Sequence, residues 1–460
     1  RARELTREAA LTAGLPEETI LLEEPQAALY AWIAERGERW RNELRVDDVV
    51  LVCDVGGGTT DFSLIGVAAE GGELVLRRLA VGNHILVGGD NMDLTLSHLV
   101  RSRFEERGVS LDPWQAVSLW HACRTAKEHL LTDGGPAAWP VSVLGRGSRL
   151  VGGTISVDVA REEVLTALLE GFFPVCDEGA RPARRGASGF RELGLPFASD
   201  TGITRHLAEF LSAHAGRSHG GASGAVGGRA PSAPYGAPDH PVSPTHVLFN
   251  GGVFKPSVFR QRTLDVLESW SGRSGSVRLL EQSPDLDFAV ARGAAYYGFA
   301  KRRSGVRIRG GTGRSYYVGI ETAGPAVPGV SRPLSALCVV PFGMEEGSEI
   351  EVPSEEIGLV VGERAQFRFF SSSMRRDDKP GDIVAGGAAS GILETDSLEA
   401  HLPADERFAE GCVPVKFRSR ITELGVFELW CRSTISEDTW RLEFSVRQRA
   451  EGSGADSSSR

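Results

Sequence analysis

Apolar positions follow two rhythms along the chain, and the change from one to the other divides it. Val49, Val50, Leu51 and Val52 form a short continuous apolar run, the pattern of a strand buried on both faces. "FSLIGVA", beginning at Phe62, predicts a second strand and "GELVLRRLAVGNHILVGG" a third. Leu96, Leu99, Val100 and Phe104 then recur at helical spacing, behind Asp90 and Asn91, which can cap such a helix. A second helix is predicted from Pro113 to Leu131, with Val117, Trp120 and Leu130 apolar and Arg124 and Lys127 three apart on one side. Helices are also predicted over residues 1–13, from Pro25 through "QAALYAWIAERG", at "REEVLTALLEGFFPV", at "RHLAEFL", up to Trp270 and at "DFAVARGAAYYGFAKRR". Pro25 suits a first helical turn, where its missing N–H is not needed. Strands at "TILLEE", "AWPVSVL", "GTISVDV", "THVLFN" and "VRLLE" alternate with these helices, so residues 1–302 read as α/β.

From about Ser315 the pattern becomes short strands with turn signals: "YYVGIE", "ALCVVPFG", "SEIEVP", "AQFRFFSS", "VPVKFRSRI", "GVFELWCRS" and "WRLEFSVR". A separate all-β domain over 315–447 follows, reached through a linker at 303–314. Two stretches have compositions that cannot bury a core, the Gly/Ser/Pro-rich insert at 212–244 and the tail at 448–460, and both read as disordered.

Candidate chemistry concentrates at "DVGGGTTDF", Asp54 to Phe62. Gly56, Gly57 and Gly58 between two strands make a tight hairpin loop whose bare N–H groups nothing shields. With the hydroxyls of Thr59 and Thr60 they suit an anion such as phosphate. Asp54 and Asp61 bracket the loop, and carboxylates beside a phosphate make sense around a hydrated magnesium ion, which prefers oxygen ligands and keeps several waters. Glycine pairs follow strands twice more, at Gly88–Gly89 and Gly251–Gly252.

Composition narrows the setting. A formal net charge of −10 argues against a general nucleic-acid binder. No apolar window is long enough for a bilayer, and the charged amphipathic start does not read as a signal peptide, so a cytoplasmic protein without membrane association is expected. Six cysteines without a CxxC pair make disulfides and a zinc site unlikely choices for this chain. The chain opens on Arg1 and its earliest methionine is Met92, so an incomplete N-terminus is expected.

The three glycine sites, in this order within an α/β region, resemble those of the actin-like ATPases, and among them the DnaK-type seventy-kilodalton heat-shock chaperones. "DVGGGTTDF" looks like that family's second phosphate loop, "LLEEPQAAL" its connecting segment and "NGGVFKP" its adenosine-binding loop; "VGGDNMD" and "SPDLDFAVARGAA" match further stretches. "VGIETAG", "VVGERAQF" and "VPVKFRSRITELGVFELWCRS" look like a diverged form of the family's peptide-binding β-sandwich. The resemblance implies that Gly56, Gly57, Gly58 and Thr59 hold the β- and γ-phosphates of ATP or ADP. Asp54 and Asp61, with Glu24 approaching, would position Mg2+ and its waters. Gly89 and Asp90 would reach the ribose side, Lys127 the ribose or adenine edge, and Gly251, Gly252 and Val253 would let adenine lie against the backbone; Asp285 matches an acidic position near the nucleotide. The implied activity is ATP hydrolysis coupled to binding of unfolded or extended polypeptide, with J-domain co-chaperones and exchange factors as partners and stress response as the setting.

The chain also departs from the pattern. The family's first phosphate loop and its strand-borne lysine are absent from the sequence given, so little or no hydrolysis by it alone is expected. Glu128 stands where many members carry an arginine over adenine, "GVRIRGGTGRSY" replaces the apolar interdomain linker, and no helical lid follows Arg447. A noncatalytic co-chaperone or scaffold is the alternative reading, and a small-molecule kinase of the same superfold a further one. His121, His129 and His206 read as helix residues without a ligand role, Lys301–Arg303 as a helix end favoured by the dipole, and Cys53 as a small core residue.

Overall fold

The computed structural model describes residues 2–16, 19–145, 153–183, 198–215, 243–283, 285–303, 305–312, 314–321, 334–362, 364–372, 375, 377–385, 391–395, 398–401, 412–422 and 426–445. Most of the insert expected at 212–244 and all of the expected 448–460 tail lie outside these residues, as do single positions within the 303–314 linker. The chain divides into two compact units, Glu24–Ile308 and a second made of Arg1–Glu23 with Arg309–Arg460. Helix α1 (Ala2–Thr12) belongs to the second.

In the unit Glu24–Ile308, α2 (Glu24–Arg36) and the single turn α3 (Trp40–Glu43) lead into β1 (Val49–Val55), buried at every position as its apolar run predicts. β2 (Thr60–Glu70) returns antiparallel, with Asp54 opposite Asp61 and Val55 opposite Thr60, and β3 (Glu73–Val81) follows antiparallel again. Helices α4 (Gly89–Glu106) and α5 (Pro113–Leu131) come next. The start of α5 is written locally: the Asp112 carboxylate accepts from the amides of Trp114 and Gln115 at 2.9 and 3.0 Å, the Gln115 side chain returns to the Asp112 carbonyl-flanking N–H, and Pro113 occupies the first turn. The hairpin β4 (Ala138–Leu144) and β5 (Thr154–Ala160), then α6 (Arg161–Phe172) and α7 (Ile203–Ala215), precede β6 (His246–Asn250). Helix α8 (Ser257–Ser271), β7 (Arg278–Leu279), α9 (Ala289–Arg302) and the short β8 (Ile308–Arg309) complete the series.

The sheet order is β7-β6-β1-β2-β3-β8, with β6 parallel to β1 and β7 parallel to β6. The antiparallel hairpin β1–β2 therefore sits beside a parallel pair, and the chain reversals at Gly56–Thr59 and after Asn250 fall at the same end of neighbouring strands. One apolar core runs from Leu51, Val55 and Phe62 of the sheet through Val100 and Phe104 of α4 and Leu119 and Leu130 of α5 to Phe172, Phe254 and Phe259. Burial of this size is the main favourable term in holding the loop ends in place.

In the other unit, β9 (Ser315–Glu321), β10 (Leu334–Val340), β11 (Glu349–Glu351), β12 (Ile357–Val360), β13 (Arg364–Phe367), β14 (Phe369–Ser372), β15 (Ile383–Ala385), β16 (Leu393–Glu394), β17 (Leu398–His401), β18 (Cys412–Ile421), β19 (Val426–Ser433) and β20 (Thr439–Ser445) form sheets only. Order β15-β10-β9-β14-β16 makes one sheet and β11-β18-β19-β20, with β12 on β18, another. Val318, Leu337, Val339 and Phe369 of the first share a core with Val415, Phe417, Phe427 and Leu429 of the second. Phe369 and Phe427 meet edge-on with centroids 6.2 Å apart, so the two sheets close over one apolar layer.

Three expectations change. "TILLEE" is not a strand: Thr19 turns back on Pro16 through its amide and its hydroxyl, and Glu24 already opens α2. "AQFRFFSS" is two strands rather than one, because β13 pairs β17 while β14 pairs β9. Ser212 to Ala215 end helix α7 rather than begin a loop.

Candidate functional site

The loop Gly56–Thr59 closes on itself through one hydrogen bond, Gly56 N–H to the Thr59 carbonyl at 2.9 Å. Its other carbonyls face the start of α4: Gly89 N–H donates to the Gly56 oxygen at 3.0 Å and Asp90 N–H to the Gly57 oxygen at 2.7 Å. Among the described residues, the amides of Gly57, Gly58 and Thr59 donate to no carbonyl. Gly57 and Gly58 are exposed. Thus the loop has its acceptors tied inward and its donors left outward. Gly88 must be bare for this contact, since a Cβ there would stand 2.5 Å from the Gly57 oxygen. The Asp90 carboxylate lies beside Gly57, 3.5 Å from the point a Cβ on that residue would occupy.

Asp54, at the end of β1, is buried and accepts from Asn250 Nδ2 at 2.9 Å. Burial, opposed by the Asn250 hydrogen bond and reinforced by the charges of Glu24 and Asp61, pushes its carboxyl up to about 7. Asn250 Oδ1 is itself buried and has no hydrogen-bond partner among the described residues. Asp61, opposite on β2, accepts from His84 Nδ1 at 2.5 Å, and that bond draws the imidazole pKa above its ordinary value. Glu24 is exposed at the first turn of α2, near enough to act on both Asp54 and His84 through its charge.

The second and third glycine sites come to the same place. A Cβ on Gly89 would find Val253 Cγ2 at 3.4 Å, Lys127 Nζ at 3.6 Å and the Gly56 oxygen at 3.7 Å, so α4, α5, the glycine loop and the turn after β6 converge there. Gly251 has φ +88°, and a Cβ on it would lie 2.2 Å from the Val55 oxygen and 2.8 Å from Asp54 Oδ1. We expect Gly251→Ala to cost about 2–3 kcal/mol through left-handed strain and displacement of the β1 end. A urea denaturation midpoint equal to that of the unsubstituted chain would refute this. Gly252 and Val253 continue from it as a single 3₁₀ turn.

Lys127 is committed within the protein: its Nζ stands 2.6 Å from Asp93 Oδ1 and 3.2 Å from the Gly89 carbonyl oxygen. Asp93 is fully buried, and burial outweighs Lys127 and Arg124 to hold its carboxyl above the usual range. Glu128 pairs with Arg124 on the exposed side of α5 at 3.6 Å. Asp285 is approached by Arg292 of α9 at 3.7 Å. Among the described residues, no three His, Cys, Asp or Glu side chains are grouped so as to hold a metal ion directly. Likewise no helix there is long and apolar enough to cross a membrane.

Sequence reasoning names neither Asn250 nor His84 nor Asp93 as part of this site. Asn250 opens "NGGVFKP" and Asp93 closes "VGGDNMD", so both could have been found from those positions; His84 becomes visible only when the strands are folded. Cys53 is a buried core residue, as expected, and His129 stacks on Trp139 with centroids 4.0 Å apart.

Comparison with known proteins concerns mainly the first part of the chain. Residues 1–147 match the family model described as Hsp70 protein, a span that includes Glu24, the glycine loop, Gly89, Asp90 and Lys127 but not residues 251–253 or Asp285. The chaperone protein HscA homolog of Acinetobacter baylyi is 35% identical over 128 residues, 28% of this chain and 19% of that protein. Its namesake in Acidithiobacillus ferrooxidans is 30% identical over 190 residues, 39% of this chain and 26% of that protein. The matched stretch thus spans about a fifth to a quarter of these relatives. Over these residues the chain is similar to the Hsp70 family.

Proposed function

We propose that the chain works as a DnaK-like molecular chaperone that binds ATP and ADP with Mg2+ at the glycine loop and extended polypeptide on its β-rich unit. The observation that carries this reading is the polarity of the loop, with carbonyls turned onto α4 and the Gly57, Gly58 and Thr59 amides free to donate. Such a set of donors suits phosphate oxygens. The similarity of residues 1–147 to the Hsp70 family supports it.

The residues present also fit a hard divalent cation. Asp54 is a buried carboxylate pushed towards neutrality, it faces a second carboxylate across the hairpin, and the amide oxygen beside it lacks a partner. An all-oxygen, under-neutralised donor set is what such a cation relieves, through its waters where the ligands stand back. Asp54, Asp61 and Glu24 would hold it. When bound, the cation supplies charge neutralisation on the phosphate oxygens. The chain's own residues do the positioning: loop amides and the Thr59 hydroxyl bind the phosphates, and the two aspartates orient water near them. Gly89, Asp90 and Lys127 would line the ribose side, Gly251, Gly252 and Val253 the adenine side, with Asp285 outermost.

On the β-rich unit, edge strands β15 and β16 carry the exposed Ile383 and Leu393, features suited to strand addition with apolar side-chain contacts. Unfolded or extended polypeptide, a J-domain co-chaperone and an exchange factor are the partners this reading assigns, in the cytoplasm. Calorimetric titration with ADP tests it. Binding should require Mg2+ and weaken about tenfold or more in Asp61→Asn. Equal affinity with and without the cation, or no binding at all, would favour a scaffold that uses the same fold without nucleotide.

A further inference from the structure

Resting on that reading, we infer that His84 is a positioning residue which fixes the Asp61 carboxylate for the cation-supported binding of nucleotide. Asp54 and Asp61 are directly opposed in the β1–β2 ladder, so their side chains share one face of the sheet. Two carboxylates so placed repel each other, and each has its own hydrogen-bond donor. Asn250 Nδ2 donates to Asp54 Oδ2 at 2.9 Å; His84 Nδ1 meets Asp61 Oδ1 at 2.5 Å. A carboxylate only accepts, so the imidazole carries its proton on Nδ1.

The backbone presents His84 for this contact. Gly82 N–H donates to the Phe62 carbonyl at 2.8 Å, and Ile85 and Thr60 exchange two hydrogen bonds at 3.1 and 2.9 Å. Residues 82–85 are thereby laid alongside residues 60–62, with Asp61 facing His84 between the two pinned pairs. Packing does not force the contact, because the His84 side chain is 75% exposed while that of Asp61 is 12% exposed. The imidazole is held by its hydrogen bond and not by a core. Its effect is to occupy Oδ1 and so restrain the orientation of the Asp61 carboxylate.

The test measures how much Mg2+ is needed for half-maximal binding of a fluorescent ADP analogue to the full chain. His84→Ala should raise that concentration about fivefold, the loss of one charge-assisted hydrogen bond at a half-open site. His84→Asn, whose Nδ2 can take the place of Nδ1, should recover most of the loss. An unchanged Mg2+ requirement in His84→Ala, or a loss that His84→Asn does not recover, overturns the assignment. Absence of Mg2+-dependent binding in the unsubstituted chain overturns the proposed function and this inference together. Equal melting temperatures of the two variants, expected for so exposed a side chain, separate both results from misfolding.

Discussion

Asp54→Asn is expected to stabilise the nucleotide-free chain at pH 8 and to abolish its response to Mg2+. The carboxyl of Asp54 rises from the ordinary 3.8 to about 7 on folding, chiefly because burial disfavours the charged form. Between those two values the folded protein binds more protons than the unfolded one, so stability falls as pH rises from about 4 to 7 and is flat above. Below the lower value both states are protonated and the penalty vanishes. A rise of this size corresponds to at most roughly 4 kcal/mol at pH 8. Asparagine keeps an acceptor for Asn250 and carries no charge, so it removes the penalty. Thermal unfolding in EDTA should show a melting temperature on the order of 10 °C above that of the unsubstituted chain at pH 8, converging as the pH approaches 4. Two curves that run parallel across this range would show that Asp54 is not under electrostatic strain.

Lys127→Met should have the next largest effect, in the opposite direction. Asp93 is fully buried, and Lys127 is its near partner at 2.6 Å, with Arg124 more distant at 3.9 Å. Removing one member of a buried pair leaves the other as an uncompensated charge, which costs roughly 3 kcal/mol or more. Arg124 can move in only partly, because its own side chain is half exposed and shared with Glu128. The double variant Lys127→Met with Asp93→Asn should regain most of the stability, giving a coupling energy of about 2 kcal/mol in a denaturation cycle. If the single changes simply add, the pair carries no interaction and Lys127 is free for a ligand. The same experiment therefore separates a structural lysine from a nucleotide contact.

These two residues show where the sequence speaks and where it stops. The hairpin around Gly56–Thr59 is legible because an unbroken apolar strand, three glycines and a second strand are contiguous. Helix α5 is legible to its ends because Asp112, Pro113 and Gln115 form its cap within a few residues. The partners that set the chemistry are not contiguous: His84 meets Asp61 across 23 positions and Asn250 meets Asp54 across 196. Nothing in local periodicity brings such groups together, since their meeting depends on register between strands. The same holds in the β-rich unit. The long strand β18 announces itself by alternation, whereas β15 and β16 have three and two residues and exist only by virtue of neighbours. Lys127 was readable as a cation on the right face of α5, but its commitment to Asp93 was not.

The two hydrogen bonds from Gly89 and Asp90 to the glycine loop also make α4 an indicator arm. This helix has 18 residues and is therefore about 27 Å long. One end is bolted to the loop tip and the remainder is a stiff rod on the shared core. A ligand that moves Gly56 and Gly57 must either swing this rod or shear the two bonds at its base.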